Sequence, residues 1–251
     1  MLQAAHNHSS LASTAEPGSI SDVEIYDTLI SAILDHRLVP GTKLVEDKLA
    51  TAFGVSRTRI RPVLVRLANE SIITLRPNKG AVVAEPTPQE SREIFEVRRM
   101  IEPTLVARFI AQASDADVNT LREIIENEEA ARLAGDRQRA IRLSGQFHLW
   151  IADKSGHTTL QRVLSELVSR TSLILMTYGQ GDQSASAERA ACGCNAHRAL
   201  VDAIRLRVPE PAQQLMQTHL LEIEHSLVWQ RPETPKQDLQ HLLRLGEPLE
   251  G

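Results

Sequence analysis

Residues 54–80 read "GVSRTRIRPVLVRLANESIITLRPNKG" and combine a helical apolar pattern with an unusual density of arginines. Four apolar residues recur at the spacing of one helix face: Ile60, Val63, Leu64 and Leu67. Arg57 and Arg61 lie one helical turn apart, so they share another face of the same helix, and Thr58 lies beside them. We predict a helix that begins after Ser56 as its N-cap, packs its apolar face inward and presents its arginines to a partner.

The residues before this helix predict a helix-turn-helix motif. Residues 22–34 carry apolar side chains at helical spacing and are followed by a turn at Pro40 and Gly41. The apolar face predicted for this first helix comprises Val23, Tyr26, Ile30, Ile33 and Leu34. A short second helix follows in residues 45–53, and Gly54 ends it. Two short helices joined by a tight glycine turn are typical of a motif whose second helix is presented to the major groove of DNA.

The residues after the arginine-rich helix predict a β-hairpin. Residues 72–75 and 81–83 are rich in β-branched side chains and flank the turn sequence Arg-Pro-Asn-Lys-Gly. A basic hairpin directly after a DNA-reading helix is typical of a wing, which reaches phosphates or the adjacent minor groove. The predicted tip of this wing comprises Arg76, Asn78, Lys79 and Gly80.

The N-terminal region is basic although the whole chain is acidic. The net charge of the 251-residue chain is −4, whereas residues 54–84 hold six basic residues against the single acid Glu70, a net charge of +5. A basic patch on an otherwise acidic protein is typical of a nucleic-acid-binding surface. Charge alone leaves a solvated helix face as an equal alternative, and the helix-turn-helix pattern favours DNA.

The remainder of the chain predicts a second, helical domain. Hydrophobic residues make up 42% of the chain and aromatic residues only 3%, a globular composition, and long periodic runs favour helices. We predict four segments: a mobile tail 1–19, a winged helix-turn-helix domain 20–85, a helical effector-binding and dimerisation domain 86–230 and a C-terminal extension 231–251. Six helices are predicted in the third segment, near residues 89–112, 115–134, 136–155, 157–179, 184–207 and 209–229. The predicted fold class is mainly α, with an antiparallel helical bundle after the winged helix.

Two further patterns limit the cellular context. No apolar run approaches the ~18 residues that a membrane span requires, and the first twenty residues lack the basic residues of a signal peptide. We therefore expect a cytoplasmic protein without a membrane partner. Cys192 and Cys194 form a short CxC pattern that lacks the second pair of a structural zinc site, so a structural or incidental role is favoured over redox or metal chemistry.

Several of these segments resemble one known family. The stretch "GTKLVEDKLATAFGVSRTRIRPVLVRLANESIITLRPNKGAVVA" resembles the winged-helix domain of the GntR family of bacterial transcription regulators. The stretches "FEVRRMIEP", "FHLWIADKSGH", "NAHRALVDAI" and "MQTHL" resemble the FCD-type helical effector domain of its FadR branch. The resemblance runs from about residue 23 to residue 229, and it is specific because motifs of both domains occur in order.

The resemblance implies a homodimer that binds a two-fold symmetric operator in double-stranded DNA, and a bundle that binds a small carboxylate effector and often a divalent metal. The candidate DNA-binding residues, from the resemblance and from the basic face and wing, are Arg57, Thr58, Arg59, Arg61, Lys79 and Gly80. The family often has a basic residue where this chain has Asp47. It usually has proline at Arg59 and glutamate at Pro62, so the proline lies three residues deeper in this helix. Since Pro62 removes the hydrogen bond to the Thr58 carbonyl, we expect a bend or a tighter first turn.

Three histidines form the candidate metal site. Taken singly, helical histidines are usually core or surface residues, and only the resemblance joins His148, His197 and His219 as ligands of one metal. The family has aspartate one turn before the first histidine, where this chain has Ser144. Three imidazoles are a sufficient protein ligand set for zinc and favour zinc or nickel over magnesium or calcium. We therefore expect a divalent metal, with a metal-free pocket as the alternative.

The candidate effector-binding residues are Arg98, Ser144 and Asn195. Arg98 matches a pocket arginine of the family and is expected to anchor a carboxylate. Glu102, one turn beyond it, is equally consistent with a surface ion pair and with a place in the pocket. A metal without an anionic protein ligand keeps its full positive charge, which favours an anionic effector.

Three classes of function remain open. A ligand-responsive transcription regulator accounts for both domains. A zinc hydrolase would need a general base, which no acidic residue near the motifs evidently supplies, and would leave the basic winged helix unexplained, so we do not expect an enzyme. A DNA-binding protein whose bundle only dimerises is the third class.

Overall fold

The structure is a computed structural model, and it describes residues 20–35, 37–76, 80–179 and 187–229. The predicted tail 1–19, the predicted extension 231–251, and Asn78 and Lys79 of the predicted wing tip lie outside these residues, as does the side chain of Cys192. The elements in chain order are α1 (Asp22–Leu34), β1 (Lys43–Leu44), α2 (Glu46–Phe53), α3 (Arg57–Asn69), β2 (Ile73–Arg76), β3 (Gly80–Val83), α4 (Pro88–Gln112), α5 (Asp115–Leu133), α6 (Arg137–Lys154), α7 (Thr158–Tyr178), α8 (Ala187–Arg205) and α9 (Pro209–His225). The predicted fold class is confirmed.

The helix-turn-helix is formed by α2 and α3, as predicted. Gly54 ends α2 in the left-handed conformation, with φ at 64°, which glycine adopts without a steric penalty. Ser56 occupies the N-cap position of α3, but its hydroxyl group bonds to the Thr58 hydroxyl at 2.7 Å and does not cap the helix backbone. The helix continues through Pro62 to Asn69 without interruption.

The wing is part of a three-stranded antiparallel sheet. The strand order is β1-β3-β2, and β2 pairs with β3 from Ile73 opposite Val83 to Arg76 opposite Gly80. The sequence analysis missed β1, which has only two residues and pairs Lys43 with Val82. A strand this short carries no detectable alternation, so only its pairing with β3 identifies it.

The predicted apolar face of α1 is only partly correct, because Ile33 is buried and Tyr26 and Ile30 pack against the core whereas Val23 does not. The side chains that this helix buries are Ile25, Leu29, Ala32 and Ile33. Val23, which was predicted to point inward, is 60% exposed. The helix carries apolar residues on more than one side, so its spacing alone admits two faces, and packing against α3 selects the one that is buried.

Helices α4 to α9 pack around a second hydrophobic core. Its largest fully buried side chains are Phe95, Phe109 and Phe147. The six predicted helices are confirmed, with ends that differ from the prediction by a few residues. The first helix of this group, α4, starts with a capping box between Thr87 and Glu90 and packs most extensively on α9. None of the described helices combines the length and the apolar composition that crossing a membrane requires.

The helix α7 contributes to both hydrophobic cores. Leu164, Leu167 and Ile174 belong to the core of the bundle, whereas Leu173 is fully buried in the core around the helix-turn-helix, with Met176 packed against it. A hydrogen bond of 2.8 Å from the Tyr178 hydroxyl to the Pro86 carbonyl also fixes α7 to the segment that precedes α4.

Candidate DNA interface and candidate metal centre

One exposed face of α3 carries three of the predicted DNA-binding residues. Arg57, Thr58 and Arg61 are all exposed on it. The Arg57 Nε lies 2.8 Å from the Asp47 carboxylate, and the Arg61 Nε lies 3.0 Å from the Glu46 carboxylate. Because these pairs are solvent-exposed, they are weak interactions that DNA phosphates or bases can replace. We call this face, with Arg57, Thr58 and Arg61, the reading face.

Arg59, which was predicted to bind DNA, does not lie on the reading face and bonds to the start of α1 instead. Its Nε and Nη2 donate to the Asp22 carboxylate at 2.9 and 2.7 Å, and its Nη2 also donates to the Ile20 carbonyl at 2.6 Å. A residue two positions along a helix is turned by about 200° around its axis, so Arg59 points away from Arg57 and Arg61. Its hydrogen bonds hold α3 against the start of α1.

Gly80 begins β3 and pairs with Arg76 at the end of β2, next to the turn of the wing. Its φ angle is 75°, and a Cβ at this position would lie 3.0 Å from the Leu44 carbonyl oxygen. Any other residue would therefore strain the backbone and crowd β1. The close approach of β1 and β3 therefore explains why glycine occupies this position. Gly80 also lines the groove between α2, α3 and the wing, together with Arg57, Arg61 and Arg76.

The three predicted metal ligands converge inside the bundle. His148 on α6, His197 on α8 and His219 on α9 are each at least 96% buried. One nitrogen of each imidazole lies within 4.8 Å of the other two, and the Nε2 atoms of His197 and His219 are 3.0 Å apart. We call these three side chains the histidine cluster.

Two buried glutamates hold the histidine cluster. The Glu102 carboxylate lies 2.6 Å from His148 Nδ1, and the Glu128 carboxylate lies 2.9 Å from His197 Nδ1. Each glutamate also bonds to an arginine one turn away on its own helix. Arg98 Nε donates to Glu102 at 2.5 Å, and Arg132 donates to Glu128 through Nε at 3.0 Å and Nη2 at 2.6 Å.

The ionisation states of these groups follow from burial and charge. Burial alone would raise the pKa of the Glu102 carboxyl, but the Arg98 guanidinium and the contact with His148 outweigh burial and hold that pKa at about 2. The pKa of Glu128 is also lowered against burial, by His197 and Arg132. Burial lowers the pKa of His148 and, well below its usual value, that of His219. Both imidazoles are therefore neutral at pH 7, the form that binds metals.

The histidine cluster fits a divalent metal in both chemistry and spacing. Two nitrogens bound to one zinc ion in a tetrahedral arrangement lie about 3.3 Å apart, close to the 3.0 Å between the Nε2 atoms of His197 and His219. Because the Nδ1 atoms of His148 and His197 contact carboxylates, Nε2 is the nitrogen that each of them has available. Ser144, one turn before His148 on α6, is half-buried.

Arg98 has an unused hydrogen-bonding group. The residue is 2% exposed, and its Nη1 donates to the Thr171 hydroxyl of α7 at 3.2 Å. Its Nη2 is the one buried side-chain nitrogen or oxygen without a hydrogen-bond partner in the described part of the chain. A buried unsatisfied guanidinium nitrogen is costly, and it marks a position where an anionic ligand can bind.

Asn195, which was predicted to bind the effector, lies outside the histidine cluster. Its side chain is exposed, whereas His197, two positions along α8, is buried. Residues two positions apart on a helix face nearly opposite directions, so the outward orientation of Asn195 follows from the inward orientation of His197. Of the three predicted effector-binding residues, the structure places Arg98 beside a glutamate that holds the histidine cluster and Ser144 one turn from His148.

The sequence analysis left Glu102 undecided and missed Glu128 and Thr171. The sequence does indicate that both glutamates are buried, because each lies on the same helix face as the buried apolar residues of its helix. Glu102 continues the buried positions of Phe95 and Phe109 on α4, and Glu128 those of Leu121 and Ile124 on α5. A carboxylate at an inward-facing position indicates a buried partner, whereas the identity of that partner depends on other helices.

Comparisons with known proteins agree with this architecture. Residues 22–83 match the family described as bacterial regulatory proteins, gntR family, and residues 93–222 match the FCD domain. The chain is 24% identical over 198 residues to the uncharacterized HTH-type transcriptional regulator YdhC of Bacillus subtilis strain 168, covering 78% of this chain and 86% of YdhC. It is 28% identical over 130 residues to the HTH-type transcriptional regulator McbR of Escherichia coli strain K12, covering 52% of this chain and 59% of McbR.

Two solved structures share the fold. Escherichia coli McbR/YncC superposes with a TM-score of 0.69 at 20% identity, over 81% of this chain and 96% of that one. A GntR transcriptional regulator from Rhodococcus sp. RHA1 superposes with a TM-score of 0.71 at 20% identity, over 81% of this chain and 95% of that one. At this level of identity the likeness is one of fold.

Proposed function

Because this chain belongs to the gntR family of bacterial regulatory proteins and carries an FCD domain, we propose that it is a homodimeric transcription regulator whose affinity for a two-fold symmetric operator is controlled by a small carboxylate metabolite. The family and the relatives above are transcription regulators, so the zinc hydrolase considered from the sequence is not its function. The proposal assigns residues 20–85 to DNA binding and residues 86–230 to effector binding and dimerisation. It places the protein in the cytoplasm, where bacterial DNA is located.

The reading face supports the DNA-binding part of the proposal. Arginine side chains can bond to the O6 and N7 atoms of guanine in the major groove, and Arg57 and Arg61 are exposed on one face of the second helix of the motif. Lys79 is proposed as a phosphate contact from the wing, by its position in the sequence between β2 and β3.

The unpaired Nη2 of Arg98 is the observation that carries the sensing part of the proposal. A carboxylate effector would accept a hydrogen bond from this nitrogen and satisfy a buried donor that has no protein partner. A zinc or nickel ion held by His148, His197 and His219 would supply a second positive group for the same carboxylate. Ser144 is uncharged, whereas an aspartate at this position would neutralise part of the metal's positive charge. The attraction between the metal and an anionic effector therefore keeps its full strength.

The helix α7 offers a physical connection between the effector site and the DNA-binding domain. Thr171 accepts the hydrogen bond from Arg98, and Leu173 lies in the hydrophobic core of the winged helix. The two side chains are two positions apart and so point to opposite sides of α7. An effector that withdraws Arg98 from Thr171 would therefore act on a helix that is part of the DNA-binding core.

The proposal is tested by measuring DNA affinity with and without candidate effectors. Operator sequences are first selected from random DNA, and affinity is then measured with zinc ions across a panel of small mono-, di- and tricarboxylates. We expect one chemical class to change the affinity by roughly 5- to 150-fold. Arg98→Lys keeps the positive charge beside Glu102 but removes the guanidinium nitrogen proposed to bind the effector, and it should reduce this response.

Arg92→Gln is the matched control, because Arg92 is an exposed arginine of the same helix and should respond like the wild type. If no carboxylate alters DNA affinity, the effector domain only dimerises the protein, which is the alternative left open by the sequence. If no DNA is selected, the assignment of the reading face is wrong.

A further inference from the structure

We propose that Glu102 and Glu128 are positioning residues that act on the metal through His148 and His197, each under the control of its own arginine. This inference rests on the metal site of the proposed function and assigns to it Glu102, which the sequence analysis left undecided, and Glu128, which it missed. We call the two chains of side chains the Glu102 relay, with Arg98 and His148, and the Glu128 relay, with Arg132 and His197.

The two relays have the same connectivity on different helices. In each relay one carboxylate oxygen, Oε1, accepts from an arginine one turn away, and the other, Oε2, contacts an imidazole Nδ1. The Glu102 relay links α4 to α6, and the Glu128 relay links α5 to α8. Two separate helix pairs thus reach the same arrangement around one cluster, which a single structural ion pair does not explain.

Both carboxylates are buried, so their pairing with charged and hydrogen-bonding groups is energetically important. Glu102 is 1% exposed and Glu128 is fully buried. An ionised carboxylate in the interior is strongly unfavourable unless it is paired and hydrogen-bonded, and apolar residues would stabilise a bundle at least as well. The effect of the Glu102 and Glu128 carboxylates on the imidazoles explains why both lie beside the histidine cluster.

Each carboxylate fixes the tautomer of its histidine. A glutamate oxygen accepts from Nδ1–H, so the proton of the neutral imidazole is on Nδ1 and the lone pair is on Nε2. For His197, Nε2 is the atom that faces the cluster, because it lies 3.0 Å from His219 Nε2. The carboxylate also raises the basicity of the ring and strengthens its bond to a metal.

The arginines set how much of this negative charge the imidazole receives. Arg132 makes two hydrogen bonds to Oε1 of Glu128, and so withdraws charge from the carboxylate that polarises His197. With Ser144 in place of an anionic ligand, these glutamates are the carboxylates bonded to the candidate ligands among the described residues. Metal affinity should therefore depend on Glu128 and Arg132 in opposite directions.

The experiment measures zinc affinity of the full chain, stripped with a chelator and titrated against a chromophoric competitor. Glu128→Gln keeps an oxygen that can accept from Nδ1–H but removes the charge, and it should weaken zinc binding by roughly 10- to 100-fold. Arg132→Gln removes the opposing charge and should tighten binding by roughly two- to tenfold. A purely structural role would shift both variants in the same direction, since both break the same ion pair.

Two further variants separate structural damage from the effect on the metal. Glu129→Gln is the matched control, because Glu129 is the next residue of α5 and pairs with Arg198 on the surface, so zinc affinity should not change. Glu102→Gln tests the second relay and should also weaken binding. The visible spectrum of the cobalt-loaded forms reports whether the ligand set is retained, and thermal unfolding of the metal-free forms reports folding.

The outcomes distinguish this inference from the proposed function. The relays are supported if Glu102→Gln and Glu128→Gln bind zinc more weakly than the wild type and Arg132→Gln binds zinc more tightly. Unchanged affinity in Glu128→Gln, or equal weakening in Glu128→Gln and Arg132→Gln in step with lower thermal stability, overturns them while the metal site stands. If the wild-type chain binds neither zinc nor nickel, the metal site itself is wrong and the relays are wrong with it.

Discussion

Arg59 and Arg61 are two positions apart in α3, and they bond to different parts of the molecule. Arg61 pairs with Glu46 on an exposed surface beside the wing, whereas Arg59 holds the first residues of α1. The same residue type in the same short stretch is therefore proposed to bind DNA in one case and holds two helices together in the other. The sequence shows both as basic residues of one helix and does not distinguish them.

Arg61→Ala should weaken binding of the selected operator by about 1–3 kcal/mol without unfolding the protein, because it removes a guanidinium that can bond to guanine. Arg59→Ala should instead lower the free energy of unfolding by up to about 1 kcal/mol, since the lost ion pair is partly exposed, and should change operator affinity little. Fluorescence anisotropy with labelled DNA and chemical denaturation measure the two effects. Equal operator affinity for Arg61→Ala and the wild type would refute the reading face.

At the level of whole elements, three helices start with the same local device. A hydroxyl residue and an acid three positions later cap each other in α1, α4 and α5. In α4 the Glu90 carboxylate accepts from the Thr87 backbone N–H at 2.8 Å, and this hydrogen bond lowers the pKa of Glu90. The box is readable from the sequence because all of its groups lie within one turn.

The capping box of α4 predicts a dependence of stability on pH. Because the pKa of Glu90 in the folded state is below its usual value of 4.5, its contribution is complete above about pH 4.5 and is lost as pH falls through the folded pKa. Glu90→Gln keeps an acceptor oxygen without the charge, so its free energy of unfolding should fall less than that of the wild type between about pH 5 and 3, by a few tenths of a kcal/mol after solvent screening.

Urea denaturation at a series of pH values measures this difference, with Glu96→Gln, at an exposed position of the same helix, as the control. A glutamine variant that tracks the wild type at every pH would show that the carboxylate charge of Glu90 adds nothing. Thr87→Ala removes the other half of the box and should cost about 1 kcal/mol at neutral pH.

Across the whole molecule, α7 joins the two hydrophobic cores. Leu173 is completely buried among residues of the winged helix, although its helix belongs to the bundle. The ion pair between Asp35, at the end of α1, and Arg142 of α6 adds a second link at 2.7 Å. The two parts of the chain are therefore expected to unfold together as long as Leu173 fills its site.

Leu173→Ala should destabilise the protein by about 2–5 kcal/mol and separate one thermal transition into two, because it removes a fully buried side chain where the cores meet. Differential scanning calorimetry measures this, and Val163→Ala, at an exposed position of the same helix, should leave the transition unchanged. If Leu173→Ala still unfolds in a single thermal transition, at a lower temperature than the wild type, the role given to Leu173 is wrong.

The extent to which the sequence predicts this protein differs between the fold and the site. The helix-turn-helix, the wing and the six helices of the bundle were predicted, since apolar spacing and glycine turns act over one or two turns of the chain. The histidines were joined only through the resemblance, because no pattern within one helix shows that His148 and His219 approach each other. Asn195 was named from the same segment resemblance, which does not show which way each side chain faces.

The sequence by itself determined where the helices and the two strands of the wing lie, which segment is basic and which arginines could read DNA, and the family resemblance added the three candidate metal ligands. Only the tertiary structure decided which face of α1 is buried, which partner Arg59 takes, and that Glu102 and Glu128 bond to histidines 46 and 69 residues away in the chain. The physical reason is the separation along the chain over which each interaction acts. Helical periodicity is local and can be read from neighbours in the chain, whereas a buried carboxylate is stable only beside partners that other helices bring to it.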